Sequence, residues 1–370
     1  MSKVALVCDW LTGVGGGEKV LLELHRLFPE APIYTSQYRP ELMDWFNDAD
    51  VRTGFLQKFP LGLRRFLGPL RQWYFSHIDL SEYDLVISVT GAEAKAVRPK
   101  NGVHICYCHV PTQYYWEMYD DYVKNPGFGI LNPFVRFFFK LLVRPLRKAD
   151  LKAAQRPDYF VTISEYAKDM IKKYYGREST IIYPPVELDD FKFKKIKTKD
   201  YFITTSRQVN WKRIDLAVKA CLMTQRKLLV IGDGPEHKKL VKLAKGSNLV
   251  KFLPFMKKEE LVVYLRGAKG YLFPSLEPFG IAPVEALSVG CPVIAYGKGG
   301  ACDYVKNRKN GILFKEQTAK SLAEAILAFE KMKFDRKKLS QGVQKFDLPR
   351  FDKEILDFVK KRGSKKREKK

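Results

Sequence analysis

Short strand-like apolar runs alternate with helix-like stretches along the whole chain, and that alternation leaves few folds open. Residues 4–8 (Val-Ala-Leu-Val-Cys) lead into a glycine-rich loop and then a helical apolar period over 18–27. Runs at 85–89, 103–107 and 159–163 continue the series, the last followed by a helix-like stretch over 164–175. The pattern restarts at 201–205 and proceeds through 228–231, 250–253, 270–273, 292–295 and 312–314, with helical stretches between. Strands alternating with helices argue for parallel sheets covered on both faces, and so for an α/β fold.

A break precedes the restart. Pro184-Pro185 closes the first series, and 189–200 carries five lysines without a regular apolar period, which is the pattern of a linker. A chain of 370 residues is longer than one core usually serves. The expected division is therefore two α/β domains, 1–186 and 187–348, with a helical stretch over 350–361 and a basic tail closing the 349–370 segment.

Charge narrows the partners. Lys+Arg number 66 against 41 Asp+Glu, a net charge of +25, which points to an anionic partner such as nucleic acid, acidic lipid or a phosphorylated small molecule. Cys8, Cys221 and Cys291 stand in or beside apolar stretches, where a free thiol acts as a small hydrophobe. Cys106, Cys108 and His109 invite a zinc reading, but no second cluster supplies the remaining ligands, so no metal is expected. Cysteines of this kind suit a reduced, cytosolic compartment. Met1-Ser2-Lys3 runs straight into the first strand, and no signal peptide is read there. The most apolar stretch, 134–143, is interrupted by Arg136 and Lys140 and falls short of the ~20 residues a membrane span needs.

Four loops could carry chemistry. Gly13-Val14-Gly15-Gly16-Gly17-Glu18 lies between the first strand and its helix, where amides favour an anion; a tight turn would want the same glycines. The spacing is neither that of a Rossmann fingerprint nor that of a P-loop. Ser206-Arg207 follows the strand that opens the second half, with Lys212-Arg213 shortly after, so that two cations could converge on a diphosphate at the strand ends. Solvated surface cations are the alternative. Gly232-Asp233-Gly234-Pro235 is another strand-to-helix turn. In Glu277-Pro278-Phe279-Gly280-Ile281-Ala282-Pro283-Val284-Glu285 one carboxylate precedes a helix and the other lies within it; Glu277 either stands beside the amides of Phe279, Gly280 and Ile281 or caps the helix.

Taken in order, these motifs resemble the nucleotide-sugar signature of retaining glycosyltransferases of family four. The resemblance rests on Glu277-x7-Glu285 with Phe279-Gly280-Ile281 inside it, Ser206-Arg207 with Lys212, and Gly232-Asp233-Gly234-Pro235. Thr162-Ile163-Ser164-Glu165 and Tyr183-Pro184-Pro185-Val186 extend it over almost the whole chain. More narrowly, Gly15-Gly16-Gly17-Glu18-Lys19, Cys108-His109-x-Pro111, Trp116 and 296–301 look like the mannosyltransferases of O-antigen and capsule assembly, with Gln113 standing where those relatives often carry arginine. The resemblance implies the GT-B architecture: two Rossmann-like domains facing across a cleft, with the C-terminal helix crossing back to the first. It also implies a metal-independent, retaining transfer that needs no cofactor, from a nucleotide-sugar donor, GDP-mannose in this subgroup, to a lipid-linked saccharide. In that scheme Arg207 and Lys212 hold the diphosphate and stabilise the leaving charge. Glu277 binds hydroxyls of the transferred sugar, and Glu285 binds the ribose. The turn at Asp233 and Gly234 and the Phe252-Leu253 strand end border the nucleotide, and Gly16 and Gly17 offer amides to the phosphates. His109 contacts the sugar or a reacting hydroxyl; its alternative is a buried histidine satisfied by the backbone.

Two segments locate the excess charge. Between Arg52 and Tyr74, five basic residues (Arg52, Lys58, Arg64, Arg65, Arg71) and no acidic one interleave with large apolar side chains. Residues 128–156 repeat the theme, with Arg136, Lys140, Arg144 and Lys148 at helical spacing and Pro145 between them. Cations beside apolar residues suit an anionic membrane surface, here the inner face of the cell membrane, at about 1 kcal/mol per cation. Core helices with snorkelling lysines are the alternative. A nucleic-acid-binding protein would use the same charge but leaves Glu277 and Glu285 without a purpose, so no nucleic acid is expected. A nucleotide-sugar epimerase of the same architecture would have no use for two basic amphipathic segments.

Overall fold

The computed structural model describes residues 3–124, 126 and 129–363, apart from the side chains of Arg65 and Ile130. Met1, Ser2, Phe128 and the basic tail over 364–370 lie outside the described residues. Two compact units emerge, Met1–Pro184 with Phe351–Lys370, and Pro185–Arg350.

The first unit holds seven parallel strands: β1 (Val4–Cys8), β2 (Ile33–Thr35), β3 (Val51–Arg52), β4 (Leu85–Thr90), β5 (Val103–Cys108), β6 (Tyr159–Thr162) and β7 (Thr180–Ile181). Their order is β3-β2-β1-β4-β5-β6-β7. Every residue of β4 and β5 is buried, because helices cover both faces of a parallel sheet. β2, β3 and β7 are only three, two and two residues long. Runs so short carry no period, which is why the sequence pattern passes over them. The second unit has six: β8 (Phe202–Thr205), β9 (Leu228–Ile231), β10 (Val250–Leu253), β11 (Gly270–Phe273), β12 (Val293–Tyr296) and β13 (Gly311–Phe314), ordered β10-β9-β8-β11-β12-β13. Both sheets therefore reverse strand order once, between β1 and β4 and between β8 and β11. In doubly wound sheets ligands bind outside the carboxyl ends of the strands at such a reversal.

Local signals place the helices. Ser164 caps the helix Glu165–Tyr175 by accepting from the Ala167 amide, and Gly176 ends it in the left-handed conformation at φ 64°. The first helix opens earlier than its apolar period, at Gly16, so Gly16 and Gly17 form its first turn. The second core packs Phe202, Leu228, Val230, Leu272 and Ile294 of the sheet against Val218, Leu322, Ile326 and Phe329. Cys106 and Cys108 belong to a core cluster with Phe160, Ile171 and Tyr175. Burial pushes the thiols of Cys221 and Cys291 up to about 12.

The 189–200 linker is partly folded. Leu188–Phe191 is a 3-10 turn whose two apolar ends are buried, and Lys258 bridges Glu187 and Asp190 across it. Leu188 and Phe191 fall on one side of a three-residue turn, so the turn packs despite the lysines that follow. Val186 also joins the second unit, its N–H donating to the Phe346 carbonyl at 3.0 Å. In the C-terminal helix Leu348–Gly363, Phe351 and Ile355 are buried. Phe351 meets Tyr107 edge-on at 6.1 Å, and Phe358 meets Tyr159 at 6.2 Å.

Candidate active site

At the reversal between β8 and β11, three side chains from two loops converge. Lys212 lies in the short turn Asn210–Lys212 after β8, and Glu277 in the loop after β11. Their Nζ and Oε2 are 2.7 Å apart, with 23% and 17% of the side chains exposed. Ser275 donates its hydroxyl to the other oxygen of Glu277 at 2.7 Å. Glu277 is thus held at both oxygens, while enough of the pair stays accessible for a ligand to compete for it. Arg207 is exposed, its guanidinium over the Trp211 ring at 5.9 Å.

Glu277 does not cap the helix that follows. The cap position of Ile281–Ser288 is Gly280, at φ 87°, and a Cβ there would come within 2.6 Å of the Phe273 ring and 2.9 Å of the Tyr304 hydroxyl. Phe279 is buried beside Tyr304 and Phe346, and its carbonyl accepts from Tyr304 at 2.8 Å. Packing of the Phe279 side chain therefore leaves the backbone of this loop, not its ring, to meet a ligand. Glu285 is half-buried on the helix. Glu277 and Glu285 both act on Tyr271, at the floor of this site: burial raises its phenol, hydrogen bonds with Thr205 offset part of the rise, and the two carboxylates add to it. Arg213 turns away, in left-handed backbone at φ 52°, to pair with Asp215 at 3.1 Å, so the second cation of the Lys212-Arg213 pair does not join the site.

The neighbouring turn is knit to the same loop. Gln208 donates its N–H to the Asp233 carbonyl at 2.7 Å and its side-chain amide to the Gly232 carbonyl at 2.6 Å. Gly234 donates to the Asp233 carboxylate at 2.7 Å, and Gly232 to the Leu253 carbonyl at 3.0 Å. His237 meets Gln208 Oε1 at 2.8 Å and stands edge-on to half-buried Phe252 at 5.5 Å.

In the first unit the reversal between β1 and β4 is organised by Asp9, which the sequence pattern does not single out. Its carboxylate is buried and accepts from the Thr90 hydroxyl and from the amides of Gly91, Ala92 and Ala94, all within 3.1 Å. His109 directly follows β5, and its N–H donates to the Thr90 carbonyl at 2.9 Å. In the ring, Nε2 is buried and without a hydrogen-bond partner among the described residues. Burial pushes the imidazole down to about 4, so it is neutral near pH 7 and able to accept a proton or a hydrogen bond. Gly17 lies against it; a Cβ there would sit 2.6 Å from His109 Cε1. Glycine at this point of the helix is a requirement of close approach. Trp10, also just beyond β1, has the guanidiniums of Arg64 and Arg71 each 5.0 Å from its ring.

The structure thus brings Lys212, Glu277 and Ser275 together, keeps Arg207, Phe279 and Gly280 in the same loops with Ile281 and Glu285 on the helix that follows, and sets Asp233, Gly234, Phe252 and Leu253 on the neighbouring turn and strand. Gly16, Gly17 and His109 form a second group in the first unit. Ser275, Trp211, Tyr271 and Asp9 escape sequence reasoning because single polar or aromatic residues in strands and the loops after them have no spacing to betray them. Among the described residues no group of three or more His, Cys, Asp or Glu could hold a metal ion.

Two Rossmann-like α/β units, each with its polar groups at a strand reversal, define the GT-B class of glycosyltransferase, and solved structures of that class share the fold. Sucrose-phosphate synthase from Thermosynechococcus elongatus is 18% identical with a TM-score of 0.71, covering 98% of this chain and 99% of that one. Anabaena HepE in complex with UDP is 17% identical with a TM-score of 0.68, covering 97% and 100%. The chain matches the profile of glycosyl transferases group 1 over residues 186–346 and that of Glycosyltransferase Family 4 over residues 14–190, and it belongs to this family. Among its relatives, the uncharacterized glycosyltransferase YqgM of Bacillus subtilis is 28% identical over 49% of this chain and 53% of its own. The alpha-1,3/1,6-mannosyltransferase ALG2 of Mus musculus is 24% identical over 81% of each. The match spans about half the length of the first relatives, 53% and 57%.

Proposed function

We propose that the protein transfers mannose from GDP-mannose to a lipid-linked saccharide at an anionic membrane surface, retaining anomeric configuration and using no metal. The observation that carries the reaction is the Lys212–Glu277–Ser275 group at the strand reversal, with Arg207 exposed in the same loop as Lys212. A leaving diphosphate needs positive charge fixed in advance, and Arg207 with Lys212 supplies it where other transferases use a metal ion. Lys212 turns to the phosphates as donor binds, freeing one oxygen of Glu277 for sugar hydroxyls while Ser275 keeps the other in place. The bond from the sugar to the phosphate oxygen breaks, the acceptor oxygen replaces it, and the hydroxyl proton leaves with the nucleoside diphosphate.

Kinship with ALG2, and with a GDP-mannose-dependent phosphatidylinositol monomannoside mannosyltransferase of Mycobacterium tuberculosis at 24% identity over 46% of this chain and 51% of that one, supports the donor. UDP is the nucleotide in the HepE complex, so the base is a matter for measurement. In a thermal-shift panel, GDP is expected to raise the melting temperature saturably and more than UDP or ADP, because a ligand stabilises the state it binds. A larger shift with UDP replaces GDP-mannose by a uridine donor.

The membrane reading rests on the helix Asn132–Ala154. No helix among the described residues is long and apolar enough to cross a membrane. Yet Phe134, Phe137, Phe138, Leu141 and Leu142 are exposed, beside exposed Lys140, Arg144 and Lys148. That exposure supports the membrane reading over a core helix covered by lysine stems. In the other segment Phe55, Leu63, Phe66, Leu70 and Trp73 are exposed. Arg71 must be removed from its cations, for it is buried against Glu93 at 2.8 Å. The parent should pellet with phosphatidylglycerol vesicles and be released by salt, since surface attraction is screened within about 8 Å at physiological ionic strength. Lys140→Glu/Arg144→Glu/Lys148→Glu should remain in solution and still bind nucleotide. Equal pelleting of both proteins removes the helix from the membrane.

A further inference from the structure

We infer that the first unit carries a second ligand site, a phosphate-binding pocket at the amino-terminal edge of its sheet, formed by Arg98, Lys100 and Arg156. An open depression of about 400 Å³ is lined there by Arg98, Pro99, Lys100, His104, Arg156 and Asp158. His104 is the second residue of β5 and His109 follows the last. At about 3.3 Å per residue the pocket and His109 stand roughly 16 Å apart, at opposite ends of one strand. The pocket is therefore separate from the group around His109.

Its charges are arranged as an anion would require. Arg98 and Lys100 are exposed and Arg156 is half-buried. Asp158 is the one carboxylate in the lining. It already accepts the His104 N–H at 2.8 Å, and the Arg177 guanidinium stands within its influence. Asp79 answers Lys100 from outside the lining. Arg98 lies close enough to act on the charge of Arg156. Arg156 is fixed in place, Nη1 donating to the Ser76 hydroxyl at 2.8 Å and to the Ala96 carbonyl, while its buried Nε has no hydrogen-bond partner among the described residues. Burial, and then the charge of Arg98, hold the Arg156 guanidinium below its ordinary range. Two guanidiniums lining one depression, one of them anchored through Nη1, match the oxygens of a phosphate, and an anion held there would offset their like charges.

Free phosphorylated molecules and phospholipid headgroups share this chemistry. The test uses Arg98→Ala/Lys100→Ala, both changes at exposed positions, with Lys238→Ala/Lys242→Ala in the second unit as a control of equal charge. Binding of inorganic phosphate is measured by equilibrium dialysis at constant ionic strength, with and without saturating GDP; pelleting is measured with phosphatidylglycerol and phosphatidylcholine vesicles. GDP displaces phosphate held at the donor site and leaves phosphate held in this pocket, which keeps the two assignments separable. At least tenfold weaker GDP-insensitive phosphate binding in the pocket variant alone supports the site with a free phosphate as ligand. Loss of anionic-vesicle pelleting in that variant alone supports it with a headgroup as ligand. Parent-like behaviour in both assays, or equal losses in the control, overturns the proposal.

Discussion

Lys212→Ala is expected to lower turnover about 100- to 1,000-fold, the effect of removing one preorganised charge from a developing anion, or about 2.7–4 kcal/mol of barrier. The side chain is partly exposed and, among the described residues, its ion pair is with Glu277. Its loss should leave the fold intact, which circular dichroism and an unchanged melting temperature would verify. Arg207→Ala should act in the same direction, since Arg207 is exposed above Trp211. Because Lys212 and Glu277 touch, Lys212→Ala and Glu277→Gln should combine non-additively, the double variant losing less than the product of the single effects. Near-parental turnover of both Lys212→Ala and Arg207→Ala at saturating donor would sink the assignment of the diphosphate site. An absolute requirement for a divalent ion, removed by chelator, would contradict the metal-free reading.

The second large effect is on stability. Asp150, on the helix Asn132–Ala154, is 1% exposed and paired with Lys95, also 1% exposed, at 2.6 Å. The same carboxylate accepts from Thr112 at 2.9 Å, Trp116 Nε1 at 2.7 Å and Tyr175 at 2.8 Å. Burial works against the charge of Lys95, but Asp150 outweighs it and holds the ammonium well above its ordinary range. Asp150→Ala leaves that ammonium buried and uncompensated, with three donors stranded. The expected cost is about 3–5 kcal/mol. Urea unfolding followed by tryptophan fluorescence reports chiefly on the first unit, where Trp10, Trp45, Trp73 and Trp116 lie; Trp211 is in the second. Lys95→Met/Asp150→Leu should regain much of the loss, since apolar packing can replace a buried ion pair. A shift below about 1 kcal/mol in Asp150→Ala would mean that water or a neighbour compensates Lys95. The network also joins the exposed aromatic helix to the loop after His109 through Thr112, which explains how a surface helix is held against that loop.

Much of the architecture could be read in advance because it is written in local periods. Apolar runs such as Leu228–Ile231 and Gly270–Phe273, each followed by a helical stretch, are strands wherever they occur in a parallel sheet. Glycine and proline mark where each strand gives way to its helix. The motifs at Arg207, Lys212, Asp233 and Glu277 stand out because each lies in a loop after a strand, where doubly wound sheets commonly meet ligands. Net charge and the interleaved aromatics of 134–148 likewise belong to composition and spacing. Which cations remain available does not. Arg64 and Arg71 are seven residues apart in the same basic segment, yet Arg71 is buried on Glu93 and Arg64 reaches Thr12 and Trp10. Arg213 adjoins Lys212 and turns to Asp215 instead. Only tertiary structure decides such pairings, since a charge chooses its partner by distance and burial, and both depend on residues tens of positions away. Lys95 with Asp150, Asp9 with the amides after β4, and Gly17 against His109 are contacts of the same kind. The pattern of a sequence determines which elements form; the partners of buried polar groups emerge when those elements pack and desolvation makes an unpaired group costly.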